Sequence, residues 1–122
     1  MKFFICEHCG NIVAYAQNNG VPIVCCGEKM KELIPNTVDA SVEKHVPLVT
    51  LGKNKVTIDI GSAPHPMTDE HYIMWVAIET KEGNQRKELS PENEPKAEFM
   101  ICDSDSFVAA YAYCNIHGLW KS

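Results

Sequence analysis

The chain closes on Tyr113-Cys114-Asn115-Ile116-His117-Gly118-Leu119-Trp120, which sets a thiol and an imidazole three residues apart just after an apolar run. Both are metal donors, and three further histidines, His45, His65 and His71, are available to complete a set around them. Taken singly, each histidine is adequately explained by packing or exposure. Four of them beside a Cys-x-x-His in a chain of 122 residues make a pattern that packing alone does not account for. The chemistry that four imidazoles and one thiolate suit is that of iron. Zinc settles at four ligands, whereas five donors of mixed softness call for a larger coordination number with one position left open. Neutral imidazoles and one thiolate give a ferrous centre a net charge of about +1, attractive to a small anion and suited to one-electron chemistry.

A second set of sulfurs lies near the start. Cys6-Glu7-His8-Cys9-Gly10 is a Cys-x-x-Cys closed by glycine, and Val24-Cys25-Cys26-Gly27 follows after an intervening stretch. Glycine at that place permits the tight turn that aims backbone amides at a sulfur. Asn18-Asn19-Gly20 is a turn signal, so the two cysteine groups are expected at the ends of one short hairpin. Neighbouring residues on an extended strand point to opposite sides, so binding one ion through both Cys25 and Cys26 requires a local kink and distorts the tetrahedron. A structural zinc ribbon is the competing reading. Ribbons repeat Cys-x-x-Cys on both sides, and the adjacent pair counts against one. His8, between two ligands, reads as solvent-facing.

Composition bounds these readings. A hydrophobic fraction of 45% fits a globular protein, and the net charge of -5 argues against a nucleic-acid binder. No apolar stretch approaches the roughly 20 residues of a membrane span, and Met1-Lys2-Phe3-Phe4-Ile5 runs straight into Cys6-Glu7-His8 without a signal-peptide core. The expectation is a cytoplasmic protein. There six reduced cysteines read as ligands before they read as disulfides.

The elements that must position the two sets divide at Pro35-Asn36. Residues 1–36 form a compact module with little core of its own, dependent on its metal. From residue 37 the texture is that of alternating strands, with Val46 to Leu51 and Val56 to Ile60 around a Gly52-Lys53-Asn54 turn. Tyr72 to Thr80 is apolar on both faces and reads as a central strand. Shorter strands are expected near Gln85 to Leu89, Ala97 to Cys102 and Phe107 to Tyr113, with no competing helical period. Six or seven strands in fewer than 90 residues predict an antiparallel sandwich of immunoglobulin-like type over 37–122. The histidines, Cys114 and His117 fall at loop ends, where a rigid sheet carries functional groups. Pro64 and Pro66 limit the backbone around His65. Cys102, in Phe99-Met100-Ile101-Cys102, reads as a buried free thiol, and Trp75 and Trp120 read as core.

These motifs carry a resemblance. Cys6-x-x-Cys9 with Cys25-Cys26, Glu43-Lys44-His45-Val46-Pro47, Gly61-Ser62-Ala63-Pro64-His65-Pro66-Met67 with His71, and Tyr113-Cys114-Asn115-Ile116-His117-Gly118 with Trp120 resemble desulfoferrodoxin, the two-iron class of superoxide reductase. The likeness runs almost end to end. It implies a desulforedoxin-like module over 1–36 with one iron on Cys6, Cys9, Cys25 and Cys26. It implies a second iron in the 37–122 domain, with His45, His65, His71 and His117 in a plane, Cys114 axial and the opposite position free for superoxide. Lys44 would attract the anion, and Glu43 resembles the family's glutamate that closes onto the oxidised iron. The resemblance further implies a homodimer, electrons from rubredoxin, and protection against oxygen. Two other functions fit parts of the pattern. A rubredoxin-like electron carrier would use the tetrathiolate site alone and leave the histidines idle. A zinc-stabilised binding protein would need no redox metal.

Overall fold

The computed structural model describes residues 1–122. The chain divides into two compact units, Met1–Ile34 and Pro35–Ser122, each built from antiparallel strands. No helix is long and apolar enough to cross a membrane.

In the first unit β1 (Phe3–Ile5) pairs with β2 (Ile12–Ala14) on one side and with β5 (Lys31–Leu33) on the other. β3 (Val24–Cys25) and β4 (Glu28–Lys29) form a separate two-stranded ribbon. The expected hairpin through Asn18-Asn19-Gly20 does not form. Those residues make a local turn, with the Gly20 amide donating to Asn18 Oδ1 at 2.8 Å, but β2 does not pair with β3. Pro22, which has no N–H for a ladder, precedes β3. Instead each cysteine group occupies a hairpin turn of its own, Cys6–Gly10 between β1 and β2 and Cys26-Gly27 between β3 and β4. The buried apolar side chains of this unit are Phe3, Cys6 and Met30, too little burial to hold 34 residues by hydrophobic contact alone.

The second unit opens with one helical turn, α1 (Val42–His45). Then come β6 (Pro47–Gly52), β7 (Lys55–Ile60), β8 (Ile73–Thr80), β9 (Asn84–Glu88), β10 (Lys96–Met100), β11 (Phe107–Cys114) and β12 (Gly118–Lys121). They form two sheets, β10-β7-β6 and β12-β11-β8-β9, packed as a sandwich. Alternation in β7 puts Val56, Ile58 and Ile60 inward and leaves Thr57 and Asp59 partly exposed. They meet Phe99 of β10 and the inner faces of β8 and β11, including Val76, Ile78, Ala110 and Ala112. β8 lies between β11 and β9, as its two apolar faces require. On its outer face Trp75 stacks on Tyr113 with ring centroids 5.5 Å apart.

Three details depart from the sequence reading. α1 is a single turn, too short for a helical period to show. The tail is a strand: Cys114 pairs with Gly118 across a tight turn in which Gly118 takes φ 76°, and β12 then runs back along β11. Cys102 is exposed rather than buried. β10 ends at Met100, and the Cys102 carbonyl accepts the Asp105 amide at 3.0 Å in a surface turn. At the open rim of the sandwich, β9 reaches across to β10. Gln85 donates to the Met100 carbonyl at 2.7 Å, and the Lys87 ammonium donates to the Glu98 carbonyl.

The turn after β7 is stapled to α1. The Gly61 amide donates to the Val46 carbonyl at 3.1 Å, and the Glu43 carbonyl accepts both the Ala63 amide at 3.0 Å and the Ser62 hydroxyl at 3.2 Å. Gly61 has φ 83°, and a methyl group there would lie 2.5 Å from the Ala63 oxygen and 2.7 Å from the Glu43 oxygen, both backbone. Gly61→Ala is expected to destabilise this unit by about 2–5 kcal/mol, combining left-handed strain with overpacking. Urea unfolding followed by tryptophan fluorescence measures it, because Trp75 and Trp120 both lie in the second unit.

Candidate metal centres

Four segments of the sandwich carry the histidines to one place. α1 brings His45, the proline-flanked loop after β7 brings His65, the end of that loop two residues before β8 brings His71, and the β11–β12 turn brings His117 beside Cys114. Going round the set, ring centroids are 4.7 Å apart for His45–His65, 4.6 Å for His65–His71, 5.0 Å for His71–His117 and 4.8 Å for His117–His45, each pair edge to face. Across the diagonal, His45–His71 is 6.2 Å. Four short sides and a longer diagonal describe a square; a tetrahedral cage would make all separations alike.

Hydrogen bonds fix which nitrogens face inward. His45 Nδ1 lies 2.6 Å from the Ser41 carbonyl and His65 Nδ1 lies 2.7 Å from the Pro66 carbonyl. A carbonyl only accepts, so each Nδ1 carries the hydrogen and each Nε2 keeps a bare lone pair. Yet His65 Nε2 sits 3.2 Å from His45 Nε2, and His117 Nδ1 sits 3.0 Å from His45 Nε2. His71 Nε2 is buried with no hydrogen-bond partner. Burial holds His45, His65 and His71 below the usual imidazole range, His65 down to about 4, with the neighbouring histidines pushing the same way, which disfavours an added proton between the His45 and His65 Nε2 atoms.

This geometry fits a metal ion. Imidazole–metal bonds of about 2.1 Å place adjacent corners of a square about 3.0 Å apart. Cys114 Sγ completes the set: it, His45, His65 and His71 offer donor atoms all within 4.8 Å of one another, and it lies 3.9 Å from His117 Nδ1. Burial pushes the Cys114 thiol up, and the amides of His117 and Ile116 oppose that, the His117 N–H lying 3.4 Å from the sulfur. His45 and His65 are buried, whereas His71 and His117 are part-exposed, so solvent reaches the His71–His117 edge of the square. Beneath His45 the indole of Trp120 is stacked at 4.8 Å. Its type gave no sign of that role in the sequence.

Glu43 and Lys44 flank the square on the exposed face of α1. The nearby Ser41 hydroxyl, which closes no hydrogen bond, the Glu43 amide and the Lys44 charge together hold the Glu43 carboxyl below its usual range. The Lys44 charge reaches both His45 and His71 and disfavours their protonation.

In the first unit, donor sulfurs of Cys6, Cys9, Cys25 and Cys26 lie within 4.8 Å of one another, with Cys9 and Cys25 3.6 Å apart. The adjacent pair converges because Cys26 leaves the strand. It takes φ 53° and Gly27 takes φ 78°, the two left-handed residues of a two-residue hairpin turn. The Cys9 amide leads the groups that bring Cys6 down to about 6, while hydrogen bonding to the other sulfurs, Cys6 first, pushes Cys26 up to about 12. Four thiolates coexist here only around a cation. His8 is exposed and lies 3.1 Å from Glu28, away from the sulfurs' chemistry.

A tetrathiolate module and a sandwich bearing a square of histidines with one cysteine define a class: small non-haem metalloproteins with two unlike centres. The family model described as desulfoferrodoxin matches residues 37–122, and the one described as desulfoferrodoxin, N-terminal domain, matches residues 1–33. A desulfoferrodoxin homolog of Archaeoglobus fulgidus is 46% identical over all of this chain and 96% of its own length. The desulfoferrodoxin of Nitratidesulfovibrio vulgaris is 40% identical, covering 99% of this chain and 94% of its own. Among solved structures, the superoxide reductase from Treponema pallidum superposes with a TM-score of 0.84 at 36% identity, covering 99% of this chain and 97% of that one. The chain belongs to the desulfoferrodoxin family.

The lowered histidines set a pH dependence for the metal-free chain. Folded His65 titrates near 4, below its ordinary 6.5, so between these values the unfolded chain binds more protons than the folded one. Stability is therefore expected to fall as pH drops through that window and to level off below it. Urea midpoints of the metal-free protein across the window check this, and His65→Gln is expected to flatten the slope.

Proposed function

We propose that the chain is a superoxide reductase that takes superoxide to hydrogen peroxide at the histidine–cysteine centre. The observation that carries the reading is the square of imidazoles, with the lone pairs of His45 and His65 turned inward, a sulfur beside it and solvent at the His71–His117 edge. His45, His65, His71, His117 and Cys114 would hold one iron, and Cys6, Cys9, Cys25 and Cys26 another, within domains of residues 37–122 and 1–36 respectively. When bound at the square, ferrous iron supplies the single electron that, with two protons, converts superoxide to hydrogen peroxide.

The chain's own groups do the rest. The Ser41 and Pro66 carbonyls hold two imidazoles in the tautomer that faces inward. The Cys114 sulfur, held by the His117 amide, places electron density against the site from a buried position. Lys44 offers a positive charge at the mouth of an otherwise acidic protein, and local potential of that kind raises anion on-rates by roughly 10–1,000-fold. Glu43, kept ionised, would be the carboxylate that approaches the centre after product leaves. The reading extends to a rubredoxin-like external donor, a cytoplasmic location and a homodimer. Val21, Val24 and Ile34 remain exposed on the first unit, an apolar surface for a second copy to cover.

A rubredoxin-like carrier using only the sulfur site is the alternative, and it leaves the square without a task. Metal analysis separates the two, since a reductase holds two irons per chain and a carrier one. His45→Ala and Cys114→Ser are each expected to abolish superoxide reduction while the tetrathiolate absorption persists; activity surviving both would sink the reading. Lys44→Ala is expected to slow superoxide capture after pulse radiolysis and to flatten its dependence on ionic strength. An unchanged second-order rate would remove its steering role.

A further inference from the structure

Trp120 is 1% exposed and sits in β12 opposite Ala112. Its indole lies against the His45 ring, centroids 4.8 Å apart and planes 26° apart. Its N–H donates to the His117 carbonyl at 3.2 Å. His45 and His117 are 72 positions apart in sequence, and their facing nitrogens are 3.0 Å apart. One side chain thus touches both members of that pair, by its face and by its edge. The polar holds on these residues are the Ser41 carbonyl on His45 Nδ1 and the Cys114 sulfur on the His117 amide, and the neighbouring imidazoles meet both rings only edge to face. Neither polar hold sets the tilt of the His45 ring about its Nδ1–Nε2 direction. The indole is the ring that lies face to face with it.

Stacking has an electronic consequence. The indole face is the negative pole of its quadrupole and attracts positive charge. An imidazole that ligates iron gives up electron density, and gives up more to the ferric ion than to the ferrous one. We propose that Trp120 is a positioning residue that locks His45 and His117 into the square and, through its π face, favours the oxidised state of the centre, lowering its reduction potential. The proposal rests on His45 and His117 being iron ligands.

The iron-loaded full chain tests it, with the tetrathiolate centre as an internal reference. In Trp120→Leu, face and N–H are both lost. Iron at the histidine–cysteine centre is expected to be held about 10–100-fold more weakly in chelator competition, the usual cost of removing an outer support. The potential of that centre rises in spectroelectrochemical titration, and the tetrathiolate potential does not move. Trp120→Phe keeps a stacking face and loses the donor, so most of the potential returns while part of the affinity loss remains. Because a cavity at Trp120 can hinder folding, a shape-preserving probe accompanies these variants. In a Trp75→Phe background, fluorinated tryptophan is incorporated at position 120, draining the π face without changing its outline. The potential should climb with the number of fluorines. A potential indifferent to fluorination, or Phe and Leu variants displaced equally, overturns the proposal. If instead His45→Ala leaves the centre's spectrum untouched, it is the ligand assignment that has failed.

Discussion

Bare nitrogen lone pairs aimed at one another across about 3 Å repel, and the second unit is arranged to keep them there. Two carbonyls hold the hydrogens on the far side of His45 and His65, and burial withholds the extra proton that would bridge the gap. A divalent cation resolves the conflict at all corners at once. The sandwich, with its rigid apolar centre of Val56, Ile58, Ile60 and Phe99, supplies the stiffness that such a frustrated cluster needs. Every segment bearing a donor leaves a strand end or a turn anchored to one, so small movements of the loops are resisted by the sheets.

The first unit meets the same problem with sulfur. Its apolar interior is slight, and its backbone carries left-handed strain at Cys26. Both liabilities are removed by one ion, since metal–thiolate bonding takes the place of a core and fixes the turn. The two units therefore differ in what metal removal does to them. The sandwich retains a packed interior and loses only the reason for its clustered imidazoles. The small module loses its principal source of cohesion.

Much of this was legible in the chain. Donor types and order marked both centres, because Cys-x-x-Cys and Cys-x-x-His spacings are local constraints. The alternation in β7 and the two-faced apolarity of β8 marked the sandwich, because burial leaves a period of two. What was not legible depended on contacts or on backbone conformation. α1 is too brief to show a period. The Asn18-Asn19-Gly20 turn is real, yet turn chemistry does not say which strands pair across it. Cys102 follows an apolar run, but the strand stops two residues before it. Cys25 and Cys26 converge through a left-handed φ that residue type alone does not announce. Trp120 shows in sequence only as an aromatic, and its partner His45 is distant along the chain.

The rim where Gln85 and Lys87 reach over β10 bears on the protein's life in a crowded cell. Outward carbonyls of a terminal strand are docking points for foreign polypeptide, the first step toward cross-β growth. Here those of Met100 and Glu98 are already engaged by side chains from the opposite layer. That border of the sandwich is sealed without a further strand, and the seal uses no metal, so it persists in freshly made chains still awaiting iron.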